Sequence, residues 1–283
     1  PPPPPPPPPP PIFQAEDGIR DVAVGLVGSE MCIRDRAQVI LVHGVAEHYG
    51  RYRRFEEFFA GRGIGFSMMD LRGHGQSEGR RVYVADFEDF LQDLDLLAER
   101  VESHAHRIFL IGHSLGGVIA LRYAQTRRPE FVGLVTSGAG LKASIVPPRP
   151  VFAVLELINK LYPATPVPGL VKPRQICRDQ AVVRRYQTDP LVPKYLTTGF
   201  GLQALAAAET ALDEADQIDL PTLIMHGGAD EVADPQGSEE LFRRLGARDK
   251  RIQIYAGLYH EIFNEPERER VLTDLYRWIE ERI

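Results

Sequence analysis

The sequence predicts an α/β fold, in which an open, mostly parallel sheet carries helices on both faces. From Ala37 onward, short apolar runs alternate with amphipathic stretches, as they do in repeated strand–helix units. Most of the apolar runs are bounded by glycine or charged residues, which is typical of strands buried on both faces. The chain has 283 residues, of which 43% are hydrophobic and 25% charged, so it can bury a sizeable core.

Six apolar runs are the predicted strands, and amphipathic segments separate them. In these segments, apolar residues recur three and four positions apart, which predicts helices with one buried face. The predicted strands are Val39–His43, Gly65–Met69, Arg107–Ile111, Phe131–Thr136, Thr222–His226 and Arg251–Tyr255, and the predicted helices lie around Phe55–Phe59, Phe87–Val101, Val118–Ala124 and, at the end of the chain, Val271–Ile279.

A proline-rich insertion interrupts this alternation over residues 141–208. Two helical segments, Val151–Leu161 and Leu202–Leu212, are predicted within it, and no strand is. A long connection without strands is uncommon inside a compact sheet and usually carries a function. We therefore expect a cap over the strand ends and an α/β core formed by residues 37–140 and 209–283, with an inert surface excursion as the alternative.

Residues 1–36 differ from the rest of the chain. Pro1–Pro11 predict an extended polyproline II rod, which has no backbone donors. Residues 12–36 follow neither helical nor strand periodicity, and they resemble translated sequencing adapter rather than a secretory signal. We expect a non-native, disordered segment here, with a native linker as the alternative, and we leave it out of the fold prediction.

Composition excludes several classes of protein. The net charge of −6 argues against a basic nucleic-acid-binding surface. No apolar run approaches the roughly 20 residues of a membrane-spanning helix. Cys32 and Cys177 are too few for a disulfide framework and lack the spacing of a zinc site. We expect a cytoplasmic protein that needs no metal or nucleic acid, and the sequence leaves its oligomeric state open.

The strongest chemical motif is Gly112–Gly116, with the sequence GHSLG, between a buried-type strand and an apolar helix. This is the pattern of a nucleophile elbow, in which a strained turn lifts a serine hydroxyl clear of the sheet. Side chains at positions 112 and 116 would collide with the neighbouring helix and strand, so glycine is required there. The motif therefore predicts that Ser114 is a catalytic nucleophile, with a purely structural serine turn as the alternative.

A serine nucleophile needs a base that is oriented by a carboxylate, and in this arrangement the acid and then the histidine follow the serine along the chain. Asp230 and His260 each come just after a predicted strand, so both should lie at the same sheet edge as Ser114. Asp234 and Asp216 are the rival acids, although Asp234 before Pro235 is more typical of a helix N-cap. The histidines that lack the required position are His104, His106 and His226.

Catalysis of this kind also needs two backbone N–H groups that stabilise the developing oxyanion. One should belong to Leu115, the residue after the nucleophile. The other should belong to Val45, because His43–Gly44 ends the first core strand and allows the following backbone to turn inward. The alternative is that the His-Gly pair has no catalytic role and is only a strand-ending turn, which is a common structural feature.

Five motifs from about Val39 to the C-terminus together resemble the monoacylglycerol lipase and lysophospholipase group of α/β hydrolases: HGVAEHYGRY, MDLRGHGQSEG, GHSLGG, HGGAD and GLYHEIFNE. The resemblance implies Ser114, Asp230 and His260 as the catalytic triad and the backbone of Val45 and Leu115 as the oxyanion hole. It also implies that Glu47 and Arg51 bind the glycerol head group, whereas the residues alone leave a surface ion pair open. The N-terminal β-hairpin of the family is expected to be missing, because residues 1–36 occupy its place.

The sequence thus predicts a hydrolase of single-chain lipid esters that needs no cofactor. A general carboxylesterase, a proline-type aminopeptidase and a non-catalytic binding protein on the same fold remain alternatives. The cap offers an apolar helical face suited to an acyl tunnel or to transient contact with a membrane surface, and packing of that face on the core is the competing interpretation. The apolar residues concerned are Ile145, Val151, Phe152, Val154, Leu155, Leu157, Ile158 and Leu161.

Overall fold

The computed structural model describes residues 26–28, 36–144, 148–169 and 171–283. Within them, seven strands form one sheet in the order β1-β3-β2-β4-β5-β8-β9, and two more form a separate ribbon, β6-β7. The strands are β1 Leu26–Gly28, β2 Ala37–Val42, β3 Ile64–Met69, β4 Ile108–His113, β5 Gly133–Ser137, β6 Pro166–Pro168, β7 Tyr195–Thr197, β8 Thr222–Gly227 and β9 Lys250–Tyr255.

Helices cover both faces of the large sheet. They are α1 Arg53–Ala60, α2 Glu88–Glu102, α3 Leu115–Arg127, α4 Arg149–Leu161, α5 Pro173–Ile176, α6 Gln180–Thr188, α7 Thr198–Asp213, α8 Pro235–Arg244 and α9 Arg268–Glu280. All pairings in the large sheet are parallel except that of β1 with β3. The predicted α/β-hydrolase fold class is therefore confirmed, and the six predicted strands agree with β2, β3, β4, β5, β8 and β9 to within two residues at each end.

The sheet separates two apolar cores. One core packs beneath α2, α3, α7 and α8, and the other lies beneath α1 and α9. Strands β2 and β4 are buried along their whole length, because helices cover them on both sides. Trp278 of α9 contacts Phe109 of β4 edge-to-face, with ring centroids 5.8 Å apart. No helix in the described ranges is long and apolar enough to cross a membrane.

Two expectations about the chain are wrong. Leu26–Gly28 lie in the segment that we left out of the fold, yet they form β1 and pair antiparallel with β3 at the sheet edge. The insertion was expected to contain no strand, yet Pro166–Pro168 and Tyr195–Thr197 pair as an antiparallel ribbon. Proline can occupy such a strand because both strands of a two-stranded ribbon are edges. In addition, the boundary expected after residue 208 falls inside α7.

Candidate active site

Ser114 lies in a strained turn between β4 and α3. Its φ of 54° and ψ of −117° place a non-glycine residue in a sparsely populated region, as a nucleophile elbow requires. A Cβ atom at Gly112 would overlap the backbone of Gly116, and one at Gly116 would overlap the backbone oxygens of Val42 and His43. The turn can therefore bring α3 against β2 and β4 only if both positions are glycine.

His260 and Asp230 are brought together from the ends of two strands. Asp230 follows β8 and His260 follows β9, and His260 Nδ1 lies 2.7 Å from Asp230 Oδ2. The other carboxylate oxygen accepts the backbone N–H groups of Val232 at 2.7 Å and Ala233 at 3.0 Å. Because Nδ1 is engaged by the carboxylate, Nε2 is the nitrogen left to accept a proton from a nucleophile.

The ionisation of this pair follows from its surroundings. Burial raises the pKa of Asp230, but His260 and a hydrogen bond from His226 outweigh burial and hold that pKa below its ordinary value. Burial lowers the pKa of His260, but the Asp230 carboxylate outweighs burial and raises that pKa above its ordinary value. The pair therefore favours an ionised aspartate beside an imidazole that readily accepts a proton.

Ser114 and His260 line the same cavity, which residues of the insertion cover. Val171, Ile176 and Tyr186 of the insertion form part of its wall. The rest of the wall consists of Gly44, Val45, Glu47, His113, Val232 and Glu261 together with the serine and the histidine. This cavity thus has an apolar side supplied by the insertion and a polar side supplied by the core.

The other candidates for the triad lie elsewhere. Asp234 accepts the N–H of Gln236 at 2.9 Å as the N-cap of α8, as its position before proline predicts. Asp216 is exposed in a short 3-10 turn, and His104 and His106 are exposed near the end of α2.

The loop after β2 packs directly against the nucleophile. A Cβ atom at Gly44 would lie 2.9 Å from Cβ of Ser114, and the next turn carries Ala46 at a φ of 54°. Gly44 N donates to Glu47 Oε2 at 3.1 Å, which fixes the loop on both sides of Val45. In this part of the described chain, neither Val45 N nor Leu115 N donates to another residue, so both remain free to donate to an oxyanion.

Glu47 and Arg51 belong to a buried cluster that also contains Glu261. Arg51 Nη2 donates to Glu261 Oε1 at 2.5 Å, and Arg51 Nε lies 3.6 Å from Glu47 Oε1. Tyr52 donates its hydroxyl to Glu47 Oε2 at 2.6 Å, and the Arg51 guanidinium stacks on the ring of Tyr186. The alternative of a surface ion pair between Glu47 and Arg51 is wrong, since both side chains are more than nine-tenths buried.

Glu47 and Glu261 share one arginine, and their pKa values shift in opposite directions. Burial raises the pKa of Glu47, but the charges of His113 and Arg51 outweigh burial and hold it well below the ordinary value. Burial raises the pKa of Glu261 to about 7, and Arg51 offsets that rise only in part. Near neutral pH, Glu47 is therefore the ionised partner of Arg51, and Glu261 titrates.

Sequence reasoning missed four polar residues around the triad. Glu261 directly follows His260, and Tyr52 is the last residue of the motif that supplies Glu47, so both could have been sought within the motifs themselves. The ring of His113 contacts that of His260, with centroids 4.8 Å apart and planes at 49°, and burial lowers the pKa of His113 to about 4. His226, one of the histidines whose sequence position argues against a catalytic role, contacts Asp230. The described residues contain no group of three His, Cys, Asp or Glu side chains arranged to hold a metal ion.

The apolar face of α4 is open to solvent. Val151, Val154, Leu157 and Leu161 are 48–69% exposed and recur at helical spacing, so they form one stripe. Phe152, Leu155 and Ile158 are half-buried. The interpretation that the apolar face packs on the core is therefore wrong for the exposed stripe, and it holds in part for these three residues. Ile145, the remaining member of the predicted face, lies outside the described residues.

Comparison with known proteins identifies the family. The family model described as serine aminopeptidase, S33, matches residues 34–267. The monoacylglycerol lipase of Mycolicibacterium smegmatis is 34% identical over 248 residues, which are 86% of this chain and 88% of that protein.

Two solved structures are similar as well. The monoacylglycerol lipase of Paleococcus ferrophilus has a TM-score of 0.85 and 32% identity over 92% of this chain and 99% of that one. A soluble variant of the Saccharomyces cerevisiae monoglyceride lipase, in complex with a substrate analog, has a TM-score of 0.83 and 25% identity over 94% of this chain and 93% of that one. The chain therefore belongs to the S33 serine aminopeptidase family and has the α/β-hydrolase fold.

Proposed function

We propose that the chain hydrolyses the ester bond of monoacylglycerols, with Ser114 as nucleophile, His260 as general base and Asp230 as the residue that orients the base. The single observation that carries this proposal is the 2.7 Å contact of His260 Nδ1 with Asp230 Oδ2, beside a strained serine in a shared cavity. The substrate class is supported by two similar proteins, one named a monoacylglycerol lipase and one bound to a substrate analog.

The reaction would proceed through an acyl-enzyme. His260 Nε2 takes the proton of the Ser114 hydroxyl while Oγ attacks the ester carbonyl, and the N–H groups of Val45 and Leu115 donate to the oxyanion that forms. The tetrahedral intermediate collapses when the imidazolium gives its proton to the leaving glycerol oxygen. Water, deprotonated by His260, then attacks the acyl-enzyme and releases the fatty acid.

We propose that the polar wall of the cavity holds the head group. Glu47 lines the cavity, and its carboxylate can accept a hydrogen bond from a glycerol hydroxyl. Arg51 contributes by holding Glu47, because its guanidinium lies between Glu47, Glu261 and the ring of Tyr186. The apolar wall from Val171 and Ile176 suits the start of an acyl chain.

The direct test replaces Ser114 by alanine. Ser114→Ala should abolish hydrolysis of monoacylglycerol and p-nitrophenyl esters and labelling by a fluorophosphonate, while the unfolding midpoint changes little. Ser103→Ala, at an exposed serine directly after α2, is the matched control and should keep both activities. Ester turnover by clean Ser114→Ala protein would refute the assignment.

The choice of substrate needs its own assay. A series of monoacylglycerols of increasing chain length should show kcat/KM rising with chain length. A profile limited to acetyl esters would favour a general carboxylesterase, and preferential cleavage of prolyl amides would favour an aminopeptidase. A wild-type chain that bound these compounds without turnover would be a binding protein.

We also propose that the cap contacts a membrane surface through α4. Its exposed apolar stripe ends at Leu161 and the 70%-exposed Tyr162, and a groove lined by Arg80, Arg81 and Lys194 begins two residues later at Ala164. Apolar residues beside cations are the pattern of a helix that lies on an anionic bilayer.

Vesicle sedimentation tests this contact. The chain should bind phosphatidylcholine vesicles that contain phosphatidylglycerol better than pure phosphatidylcholine vesicles. Leu157→Ser should weaken the binding, whereas Leu96→Ser, at an exposed leucine of α2, should not. Equal effects of the two substitutions would contradict a role for α4.

A further inference from the structure

Asp230 has a second histidine partner that the proposed mechanism does not use. His226, at the end of β8, is completely buried, and its Nε2 lies 3.1 Å from Asp230 Oδ2. This is the same oxygen that His260 Nδ1 contacts at 2.7 Å. With two backbone N–H groups on Oδ1, the carboxylate thus accepts four hydrogen bonds, two at each oxygen.

The surroundings of His226 fix which ring nitrogen carries a proton. Nε2 faces two acceptors, Asp230 Oδ2 and the backbone oxygen of Ala233, each at 3.1 Å, so it must be the donor. Nδ1 lies 2.7 Å from the hydroxyl of Ser238 on α8, and this hydroxyl can donate to an unprotonated nitrogen. The result is a continuous chain from Ser238 through His226 and Asp230 to His260.

We propose that His226 is a positioning residue, which fixes the rotation of the Asp230 carboxylate and limits how strongly that carboxylate attracts the His260 proton. The proposal rests on the proposed function, since it assumes that His260 is the base. The first effect follows because two donors from different directions hold Oδ2 in place. The second follows because an N–H donor on Oδ2 offsets part of the negative charge that stabilises imidazolium.

A purely structural role for His226 predicts something different. If its only task were to pin the turn from Gly227 to Ala233, its loss would lower stability and leave the protonation of His260 unchanged. The other titratable groups that face His260 in the described part of the chain are His113, Glu47 and Glu261, and they are the same in every variant compared. A change in the pKa of His260 therefore separates the two roles.

Two amide substitutions at position 226 form a matched pair. Glutamine can put an amide N–H where Nε2 lies and so keep the donor to Asp230. Asparagine reaches only the place of Nδ1, so it keeps a partner for Ser238 and loses the donor to Asp230. Both variants remain polar, which limits the difference in burial cost between them.

The pH profile of kcat/KM for a p-nitrophenyl ester is the first measurement. His226→Asn should move the acid limb to higher pH, because an uncompensated carboxylate holds the His260 proton more tightly, and should lower kcat about tenfold with little change in KM. His226→Gln should restore both toward the wild-type values. Equal behaviour of the two variants, or an acid limb that stays in place in His226→Asn, would overturn the proposal.

A readout without turnover keeps this test separate from the proposed function. Titration of the His260 ring by NMR should give a higher pKa in His226→Asn than in the wild-type chain and in His226→Gln. If the wild-type chain did not hydrolyse esters, the proposed function would fail, and the NMR titration would still decide whether His226 acts on His260. An unchanged His260 pKa with intact wild-type turnover would overturn only the role of His226.

Discussion

The Glu261→Gln variant should gain stability relative to the wild-type chain as the pH rises from about 5 to about 8. Glu261 is 3% exposed and shares Arg51 with the ionised Glu47, so burial raises its pKa from an ordinary 4.5 to about 7. The folded state therefore binds this proton more tightly than the unfolded state does. The stability that the proton gives is complete below pH 4.5 and is lost as the pH rises to about 7.

The raised pKa of Glu261 sets the size of the effect. A rise of about 2.5 units corresponds to about 3 kcal/mol at 1.36 kcal/mol per unit. Since most of this is lost between pH 5 and pH 8, the wild-type chain should lose about 2 kcal/mol relative to Glu261→Gln over that range. Glutamine is neutral at every pH, and its amide oxygen can still accept the hydrogen bond from Arg51.

Urea unfolding at pH 5 and pH 8 measures this difference. Trp278 is the only tryptophan and is buried, so its fluorescence reports the loss of the core. Glu99→Gln, at an exposed position of α2, controls for the amide substitution itself. The comparison is the free energy of unfolding of Glu261→Gln minus that of the wild-type chain. If this difference is the same at pH 8 as at pH 5, or is less favourable to the variant at pH 8, the argument fails.

Two further predictions concern the elbow and the triad. Gly116→Ala should lower the free energy of unfolding by about 1–3 kcal/mol, because its Cβ would overlap the backbone of Val42, whereas Gly201→Ala on α7 meets nothing and should raise it by about 0.5–1 kcal/mol. Urea unfolding checks both, and equal shifts would contradict the packing argument. Asp230→Asn should lower kcat about 10⁴-fold with an intact fold, because the imidazole loses its orienting carboxylate, and near-normal kcat in steady-state ester hydrolysis would exclude that role.

Motif spacing predicted the main sheet because local sequence dictates those elements. Strand β4 is buried from Ile108 to His113 and is therefore apolar over residues 108–111, and the elbow must carry glycine at 112 and 116 to avoid the backbone of α3 and β2. These requirements act within a few residues of chain, so they are visible in the sequence. The placement of Asp230 and His260 at one sheet edge followed from the same rule, since parallel strands end together.

The short elements could not be predicted, because distant contacts define them. The ribbon of Pro166–Pro168 with Tyr195–Thr197 has only three residues in each strand, and two prolines argue locally against a strand. Contacts with distant residues hold it instead: Thr197 donates its hydroxyl to the backbone oxygen of Val82 at 2.7 Å. Strand β1 is likewise three residues long and exists through its pairing with β3.

The polar shell around the triad was hidden for a related reason. Arg51 and Glu261 are 210 residues apart, so no spacing rule connects them, and each looks like an ordinary surface residue in its own segment. In the buried cluster, one arginine cannot neutralise the two desolvated carboxylates of Glu47 and Glu261, so Glu261 keeps its proton to a higher pH. His226 illustrates the same point at shorter range: its position at the end of β8 argued against catalysis, yet that position brings its Nε2 to Asp230. Motifs identify the groups that react, whereas packing decides the charges that those groups carry.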